Sequence, residues 1–521
     1  MPFSPAMPHS PARRRHVMND SAPTAVLPAP GWLRPARAVL LAAVVIAYSL
    51  FLIRYVSPHA SGSDSSGYFN SARMLGRGAF LAPVRVLPGH TAMEFGTRAL
   101  EPLGFHVQPP GDQMVPTYPI GLPLHLLVAA RIAGWHNAVI SVNVVTALAC
   151  GGLFWVLARQ LGLPAVWADA GVLLLWLCPL FVFSAVAPMS DLLALGWSLA
   201  TLSGALRARD HWCWGLVTGL TLGVAVLVRP TNALLAVPVL VALGWRWRLY
   251  PVVALGTLPG IAAAAAANWL VSGSPVSTGY GDVSSLFRLE YLAHNLAHIV
   301  HWVPLLLSPL ILLALAAPFL PAARHRGYAM LAVWFVTLTG FYSFYYHTGE
   351  TWWYLRFILP AFPALIVGAL TGLAAAVQGL RLRSGLGAVV GAALVVFAAG
   401  WELRQTRQLD VLAYKAEQQT DPDVAQWTRK NLPPDAAIFC MQVSGAFYYY
   451  TNFLLFRWDL VDGDRLPRLF AVLRQADRPV YAVLYEFERQ RALERMGGQW
   501  RALATVGNAT VWQPLPAPAG P

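Results

Sequence analysis

The sequence predicts a polytopic α-helical membrane protein with about eleven transmembrane helices and a small C-terminal α/β domain outside the membrane. Of its 521 residues, 57% are hydrophobic and only 12% are charged, whereas a soluble globular chain has about 25% charged residues. The mean hydropathy is +0.52, and long apolar runs recur between residues 38 and 402. Arginines cluster in the short segments between these runs. Together these observations exclude an ordinary soluble protein.

The strong positive charge follows from this membrane topology. The net charge is +13 and the pI is about 9.8, which in a soluble chain would indicate nucleic-acid binding. Here the arginines lie in short loops, as expected when positive charge stays on the cytoplasmic side. The sequence has no basic face or nucleic-acid-binding motif. We therefore expect a lipid bilayer as partner and no nucleic acid.

The composition divides the chain into three parts. Residues 1–37 are rich in Pro and Ala, carry several arginines, and are predicted to form a disordered cytoplasmic tail. Residues 38–402 form the transmembrane domain, in which 57–135 is a large outer loop with juxtamembrane helices. Residues 403–521 are predicted to form a small α/β periplasmic domain.

The apolar segment at 120–133 decides the topology. It is shorter than the roughly 20 residues that a span needs, and it contains Arg131, which would cost about 2.5–3.5 kcal/mol at the bilayer centre. Placed at the surface as a juxtamembrane helix, it leaves the N-terminus inside and the C-terminus outside. The predicted spans are 38–56, 136–158, 165–187, 190–206, 213–229, 231–245, 250–272, 300–319, 328–346, 354–376 and 385–402. The inner connections then hold Arg159, Arg207, Arg209, Arg246, Arg248, Arg324, Arg326, Arg381 and Arg383.

The C-terminal part has a different pattern. Apolar runs shrink to strand length and charge rises, so strands and helices are expected to alternate. The expected strands are 436–442, 454–458, 480–485, 502–506 and 510–513. The expected helices are 422–431, 465–476 and 487–496.

Acidic residues gather in the large outer loop rather than in the spans. An acid at the membrane edge can act as a general base toward an acceptor hydroxyl or amine. A second carboxylate or a histidine can hold a divalent cation that screens a phosphate leaving group. Solvated loop acids without function remain the alternative. The candidates are Asp64, Glu94, Glu101, Asp112, His90 and His106.

Asp64 is the strongest of these candidates. It is followed by Tyr68, Ala72 and Leu75, which form an apolar stripe at helical spacing. This stripe is expected to lay the segment on the membrane and to hold Asp64 at the headgroup level.

Two further candidates lie at predicted outer turns. Asp191 caps the helix that starts beside it, contributes a second carboxylate to a site, or does both. Arg229 precedes Pro230 and either grips a phosphate bidentately or extends to water as an interfacial anchor. Both alternatives stay open on the sequence alone.

Aromatic residues accompany three other outer segments. Tyr118 opens the juxtamembrane helix, Tyr280 lies in the loop 272–299, and Arg356 follows a Trp-Trp-Tyr-Leu run. Aromatic residues at these positions commonly form an interfacial belt, and Arg356 is either a phosphate ligand or another anchor.

Several motifs in this order resemble the GT-C superfamily of polyprenyl-phosphate-sugar-dependent glycosyltransferases, in particular its protein O-mannosyltransferase and lipid A aminoarabinose transferase branch. The motifs are Asp64-Ser-Ser-Gly-Tyr68, Tyr118-Pro-Ile-Gly-Leu-Pro123, Pro188-Met-Ser-Asp191, Gly219-Leu-Thr-Leu-Gly223 before Arg229-Pro230, Gly279-Tyr280, and Trp353-Tyr-Leu-Arg356. The resemblance covers most of residues 38–520.

The resemblance implies roles for individual residues. Asp64 matches the catalytic acid of the first outer loop, and Asp191 matches a second acid near the site. Glu94 matches the later acid of that loop, with Glu101 as the alternative. Arg229 and Arg356 would face the lipid phosphate, and we group Tyr280 with them. Tyr68, Tyr118, Glu101 and His106 are the expected acceptor-side residues. No metal ligands can be assigned, so a divalent cation is an open expectation.

The resulting hypothesis is a glycosyltransferase in the bacterial inner membrane. It would move a sugar from a polyprenyl-phosphate carrier to an unknown glycan, lipid or protein acceptor at the periplasmic face. Two other classes remain: a transporter or flippase of lipid-linked glycans, and a non-catalytic scaffold in envelope assembly. Transporters place ionisable residues within spans, and the concentration of acids in outer loops favours the enzyme.

Overall fold

A computed structural model describes residues 33–108, 111–379 and 384–515. The first 32 residues of the predicted tail, and the predicted inner-loop residues Arg381 and Arg383, lie outside the described residues. The chain divides into two compact units, Met1–Tyr48 and Ser49–Pro521. In the described part of the first unit, the chain forms the beginning of a helix.

The described residues are mainly α-helical. The α-helices are α1 Leu33–Tyr55, α2 Asp64–Gly76, α3 Ala92–Phe95, α4 Gly121–Ala133, α5 Trp135–Gln160, α6 Ala165–Leu177, α7 Pro179–Val186, α8 Ser190–Arg207, α9 Cys213–Val228, α10 Ala236–Leu243, α11 Leu249–Ser272, α12 Leu292–Leu306, α13 Arg326–Tyr342, α14 Phe362–Gly379, α15 Ser384–Gln408, α16 Tyr414–Gln418, α17 Thr420–Asn431, α18 Ser444–Tyr450, α19 Leu466–Gln475 and α20 Glu486–Met496.

Shorter 3-10 helices connect several of these elements. They are Thr97–Leu100, Pro230–Leu235, Ser284–Leu286, Leu289–Tyr291, Pro309–Phe319, Pro321–Arg324, Tyr346–Gly349, Trp352–Phe357, Leu359–Ala361, Val411–Ala413 and Gly463–Arg465. The strands are β1 Ala82–Pro83, β2 Phe105–Gln108, β3 Gln113–Pro116, β4 Ala437–Phe439, β5 Leu454–Phe456, β6 Val480–Tyr485, β7 Trp500–Val506 and β8 Ala509–Pro514.

The helices identify a multi-pass membrane protein. Among the described residues, five helices are long and apolar enough to cross a bilayer, and the number rises to seven if each of two bent pairs counts as one span. The predicted count of eleven stays a prediction. The expected span 165–187 is broken into α6 and α7, bent by 61°, and the region around 300–319 is bent by 107°. Pro179 begins α7 and Pro309 begins the 3-10 helix after α12, so each break coincides with a missing backbone donor.

The helix α4 has the short length that the topology argument requires. The helix has 13 residues and ends at Ala133. The next residue, Gly134, has a φ of 80°, which glycine adopts without strain. The helix packs against α2 and α5. The segment 120–133 is therefore a short apolar helix rather than a full-length span.

The C-terminal segment forms a mixed α/β fold, as predicted. Its sheet has the order β5-β4-β6-β8-β7, with β4 parallel to β5 and β6, and β8 antiparallel to β6 and β7. Five expected strands and three expected helices are all present, with ends shifted by a few residues.

The large loop after α1 packs against this C-terminal sheet, which the sequence did not indicate. The loop has its own small antiparallel sheet, β1-β3-β2. One hydrophobic core contains Phe95 and Phe105 from the loop together with Phe439 and Phe456 from the C-terminal segment. The rings of Phe95 and Phe456 meet edge to face at 6.0 Å. The loop and the C-terminal segment are thus one folded body.

Candidate active site

Asp64 is the first residue of α2, directly after a tight turn. Gly62 has a φ of 54°, a left-handed conformation that glycine adopts without strain. The backbone N–H of Gly67 donates to the Ser63 carbonyl at 3.0 Å, which closes the first helical turn. A carboxylate in this position is favoured by the positive end of the helix dipole. The turn therefore presents the Asp64 side chain at the start of the helix.

Asp64 forms an ion pair with Arg356, which lies at the end of the 3-10 helix Trp352–Phe357. Arg356 Nη2 donates to Asp64 Oδ2 at 2.7 Å, and the Arg356 side chain is only 8% exposed. Burial by itself raises the pKa of the Asp64 carboxyl. The positive charge of Arg356, together with a hydrogen bond from Tyr118 and the charge of Arg229, outweighs that effect, so the pKa lies below its usual value. Asp64 is a carboxylate at neutral pH.

A second buried ion pair lies nearby. Arg229 Nη1 donates to Asp191 Oδ1 at 2.5 Å, and the two side chains are 15% and 3% exposed. The N-cap position of α8 is Met189, and Asp191 lies within the first turn of the helix. Arg229 and Arg356 are 15% and 8% exposed and each pairs with a carboxylate, which favours the site alternative over an interfacial anchor for both residues.

Phe357 joins the two ion pairs. The Arg229 and Arg356 guanidinium carbons lie 5.2 and 5.3 Å from the centre of the Phe357 ring. Such cation–π contacts favour positive charge on a ring face. The charge of Asp191 also acts on Arg356, and the charge of Arg229 acts on Asp64. The structure thus brings Asp64, Asp191, Arg229 and Arg356 together in one site.

Three tyrosines form a wall beside Asp64. The Tyr68 and Tyr118 rings pack at a tilt of 35° with their centres 4.8 Å apart, and Tyr280 meets the Tyr118 ring edge to face at 5.8 Å. The Tyr118 hydroxyl is 2.7 Å from Ser63 Oγ, and the Tyr68 hydroxyl donates to Ser190 Oγ at 2.9 Å. The Tyr280 hydroxyl is within electrostatic range of Asp64 and Arg229.

The backbone at Gly279 explains how Tyr280 reaches this wall. A Cβ atom at residue 279 would lie 2.0 Å from the Pro116 carbonyl oxygen, so only glycine permits the approach. The loop after α11 is thereby brought against the segment that carries Tyr118. Tyr68, Tyr118 and Tyr280 thus lie together beside Asp64, and their predicted roles in binding donor and acceptor stay predictions.

The apolar stripe on α2 serves a different purpose from the predicted one. Tyr68 and Ala72 are buried inside the protein, at 4% and 0% exposure. The prediction that they lie on the membrane surface is wrong, because Tyr118 packs on the Tyr68 ring and the helices α4 and α18 pack against α2. Asp64 is held by protein packing rather than by lipid contact of this stripe.

Arg356 retains an unused hydrogen-bond donor. Its Nε is buried and has no hydrogen-bond partner among the described residues, whereas its other nitrogens contact Asp64 and Met189. A buried donor without a partner costs about 1–3 kcal/mol. A bound anion would satisfy this donor, and a guanidinium is well suited to phosphate oxygens.

Tyr118 also lines an apolar groove with a cavity volume of about 50 Å³. Its walls come from α2, α9 and α11, from the segment 116–120 that precedes α4, and from the loop at Gly279. Leu75, Ile120, Leu227 and Val271 are among the side chains that line it. The groove therefore connects the polar site with an apolar surface between helices of the membrane domain.

Glu94 has local partners in a different part of the loop. Its Oε1 accepts from the Thr91 backbone at 3.0 Å, its Oε2 lies 2.9 Å from His90 Nδ1, and it completes a capping box on α3. No contact with Asp64 or Asp191 is present among the described residues. These interactions account for Glu94 structurally, and its catalytic role stays a prediction.

Glu101 and His106 also lie close to each other rather than to the four charged residues of the site. Glu101 Oε1 accepts from the Val107 backbone at 3.0 Å, and Glu101 Oε2 lies 3.7 Å from His106 Nδ1. The buried carboxylate thus helps to hold β2. An acceptor-side role for either residue stays a prediction.

The two carboxylates of the site have arginine partners. Asp64 and Asp191 are each engaged by an arginine, and within residues 33–108, 111–379 and 384–515 no group of three or more His, Cys, Asp and Glu side chains could hold a cation. No chemical step below is routed through a metal, and the expected divalent cation stays untested.

Some residues of the site were not recognised in the sequence. Phe357 and Ser190 adjoin the candidates Arg356 and Asp191, so proximity in sequence was their one signal. Tyr342, whose ring stacks on Phe357 at 5.3 Å, had no such signal because it ends a separate helix.

The fold is that of solved membrane glycosyltransferases. ArnT from Cupriavidus metallidurans matches with a TM-score of 0.57 and 16% identity, covering 94% of this chain and 100% of that chain. The oligosaccharyltransferase of Archaeoglobus fulgidus matches with a TM-score of 0.55 and 11% identity, covering 85% of this chain and 68% of that chain. The arabinofuranosyltransferase AftD from Mycobacteria matches with a TM-score of 0.53 and 14% identity, covering 90% of this chain but 39% of that chain.

These matches confirm the GT-C fold that the sequence motifs implied. No family model matches the sequence, and no curated protein matches it by sequence. At these low identities the likeness establishes the fold, and the chemistry has to be inferred from the site.

Proposed function

We propose that this protein transfers a sugar from a polyprenyl-phosphate carrier to an acceptor hydroxyl or amine. The observation that carries the proposal is the pair of Asp–Arg contacts beside Phe357, next to an apolar groove. A lipid-linked sugar phosphate offers both matching parts: an anionic phosphate for the arginines and an isoprenoid chain for the groove.

The arginines provide the phosphate-binding side of the reaction. Arg356 Nε is an unpartnered buried donor, and Arg229 lies over the same ring. Donors that are already oriented stabilise the negative charge that develops on a leaving phosphate. Tyr280 adds a hydroxyl beside them. These contacts favour cleavage of the bond between the anomeric carbon and the phosphate oxygen.

Asp64 provides the acceptor side. Its carboxylate orients the acceptor O–H or N–H, a bond forms between the acceptor atom and the anomeric carbon, and polyprenyl phosphate leaves. The acceptor proton passes to Asp64 and then to solvent. Because its pKa is lowered, Asp64 is a weak base, so proton transfer accompanies bond formation rather than preceding it. Asp191 keeps Arg229 in position and adds negative charge near the oxocarbenium-like sugar.

The neighbouring structures support the choice of donor. ArnT was solved bound to undecaprenyl phosphate, with a TM-score of 0.56 to this chain, and the archaeal enzyme AglB was solved with dolichol phosphate, with a TM-score of 0.51. For the present protein a polyprenyl phosphate follows from the groove and the arginines. We place the site at the periplasmic face of a bacterial inner membrane, with a cytoplasmic N-terminus, because the arginine-rich loops then lie inside.

Mutation of Asp64 tests the proposal. Asp64→Asn keeps the size of the side chain and removes its charge, whereas Asp112→Asn changes an exposed acid of the same loop. We expect Asp64→Asn to abolish transfer from a polyprenyl-phosphate sugar while Asp112→Asn retains it. Full transfer by Asp64→Asn would refute the catalytic assignment. Absence of transfer by the wild type with every donor tested would favour the scaffold.

A transporter of lipid-linked glycans is supported by one specific observation. Glu402 lies on α15, within a candidate span, is fully buried, and has two carboxylate oxygens without partners. Ionisable residues in spans mark transport pathways in many transporters. Glu402 makes no contact with the Asp–Arg pairs of the site among the described residues. Replacing Glu402 therefore distinguishes a transport function from sugar transfer.

A further inference from the structure

The turn before Asp64 is held by the C-terminal segment. Three consecutive residues of the turn each contact a different C-terminal residue. The Ala60 N–H donates to the Tyr450 hydroxyl at 2.9 Å, the Ser61 hydroxyl donates to Gln418, and the Gly62 N–H donates to Asp421 Oδ2 at 3.0 Å. These partners are more than 350 positions away in the chain, so the turn conformation depends on tertiary contacts.

Asp421 is the most constrained of these partners. It lies in the first turn of α17 and is 1% exposed. Its second oxygen, Oδ1, accepts from the Tyr485 hydroxyl at 2.8 Å. Each carboxylate oxygen therefore has one donor, and the carboxylate connects β6 of the C-terminal sheet to the turn at Gly62.

Gly62 transmits this contact to Asp64. The Gly62 carbonyl accepts from the Ser66 hydroxyl, and the next residue, Ser63, accepts the first backbone hydrogen bond of α2 from Gly67. Ser63 also bonds Tyr118 of the tyrosine wall. A shift of Gly62 would therefore move the start of α2 and the Asp64 carboxylate that it carries.

We propose that Asp421 is a positioning residue for Asp64, and that the C-terminal segment is a structural part of the active site rather than a separate binding module. This inference rests on the proposed function, since positioning matters through the reaction at Asp64. Misplacement of a reacting group by about 1 Å lowers rates about 100-fold. Asp421 contacts neither Arg229 nor Arg356 among the described residues, so the effect is expected on turnover rather than on donor binding.

The chemistry of the contact defines informative variants. In Asp421→Asn, the amide oxygen still accepts from Gly62 and the amide N–H₂ donates to the Tyr485 oxygen, so the connection is retained. In Asp421→Ala, both contacts are lost. Burial raises the pKa of Asp421 to about 6, against the opposing effect of its hydrogen bonds from Tyr485 and Gly62. The charged form is thus disfavoured in the fold, and the neutral asparagine is expected to leave the melting temperature unchanged or higher.

Asp423→Ala is the matched control. Asp423 lies two residues further along α17, and its side chain accepts from Gln419 at 2.6 Å. It has no contact with residues 60–62 among the described residues. Its loss changes the same helix without changing the turn.

The experiment combines hydrogen exchange with transfer kinetics on the full-length protein in detergent. In Asp421→Ala, we expect amide exchange in residues 60–66 to be at least about tenfold faster and turnover about 10- to 100-fold lower, with the KM for the donor within about twofold. Asp423→Ala and Asp421→Asn should resemble the wild type. If Asp421→Ala does not fold, Asp421→Ser replaces it, because the shorter hydroxyl cannot reach the Gly62 N–H.

The outcomes separate this inference from the proposed function. Wild-type exchange and wild-type turnover in Asp421→Ala would overturn the positioning role. A parallel loss of turnover in Asp423→Ala would overturn it as well, because the effect would then be a general one of the helix. An inactive wild type would contradict the proposed function, while the exchange rates would still decide whether Asp421 holds the turn.

Discussion

Arg356 Nη2 donates to Asp64 Oδ2 at 2.7 Å, although the two residues are 292 positions apart in the chain. The contact joins the start of α2 to the 3-10 helix Trp352–Phe357. It also sets the charge state of Asp64, because burial alone would favour the neutral acid. The ion pair thus unites the candidate base with a candidate phosphate ligand.

Loss of Arg356 is expected to change both the rate and its pH dependence. In Arg356→Gln the main charge that lowers the pKa of Asp64 is removed, and the effect of burial then dominates. The pKa of Asp64 should rise in the variant. As the pH is lowered, the variant should therefore lose activity at a higher pH than the wild type does. Turnover at neutral pH should fall by about 100-fold or more, as when an oriented donor to a developing anion is removed. Rates measured between pH 4 and 8 check this prediction.

The same shift has a defined effect on stability. A carboxyl whose folded pKa lies below its unfolded pKa stabilises the fold above the unfolded value, and this contribution is lost as the pH falls through the folded pKa. Asp64 should therefore contribute to wild-type stability at neutral pH and lose that contribution only under acidic conditions. The lowered pKa would be contradicted if wild-type activity fell with a midpoint near pH 6 and if the substitution Asp64→Glu shifted that midpoint.

The Asp191–Arg229 pair is expected to couple strongly. Removal of one partner leaves a buried charge, which typically destabilises a protein by about 3–5 kcal/mol. Asp191→Ala and Arg229→Ala should each lower the free energy of unfolding by about this amount, and the double variant should lose less than the sum of both. Equilibrium unfolding in detergent measures the coupling. Additive losses would show that the ion pair does not form.

Phe357 should affect donor binding more than turnover. The substitution Phe357→Leu keeps an apolar side chain but removes the ring that lies against both guanidinium groups, and such contacts contribute about 0.5–2 kcal/mol each. The KM for a polyprenyl-phosphate sugar should therefore rise by about tenfold. Trp353→Leu is a useful comparison, because its ring lies near Arg356, at 5.1 Å. A larger effect of Trp353→Leu would indicate that Arg229 does not take part.

Glu402 separates the enzyme from the transporter. Because it lies on α15 away from the Asp–Arg contacts, Glu402→Gln should leave the transfer rate within about twofold, provided that the protein folds normally. The amide also keeps the size of the glutamate side chain, so no cavity is created. Transfer and lipid-linked glycan movement are measured in the same proteoliposomes. Movement of the glycan across the bilayer that depends on Glu402 would support the transporter.

Much of the fold was predictable because its signals are local. Apolar run length predicted helices throughout 38–402, and alternating short runs predicted the C-terminal strands. The breaks in α6–α7 and after α12 were missed, since an apolar run containing Pro179 or Pro309 still reads as one span. The position at which α12 ends and the 3-10 helix begins depends on tertiary packing, which cannot be derived from the amino-acid composition of the segment.

The site was predictable to the level of its charged residues. Asp64, Asp191, Arg229 and Arg356 stand out because they lie at predicted outer segments, whereas most arginines beside the spans lie at predicted inner connections. Their pairing was not predictable, since each ion pair joins elements distant in sequence. Asp421 was missed for the same reason, because an acid near a helix start reads as an ordinary surface residue until the fold buries it against Gly62.

The most direct test of the account is the rate of the chemical step at Asp64. The protein is mixed with a polyprenyl-phosphate sugar and an accepted acceptor in a single-turnover experiment, and formation of polyprenyl phosphate is followed. The wild type and Asp112→Asn should show the same rate, whereas Asp64→Asn should be slower by at least about 100-fold with unchanged donor binding. A single-turnover rate for Asp64→Asn equal to that of the wild type would contradict the account.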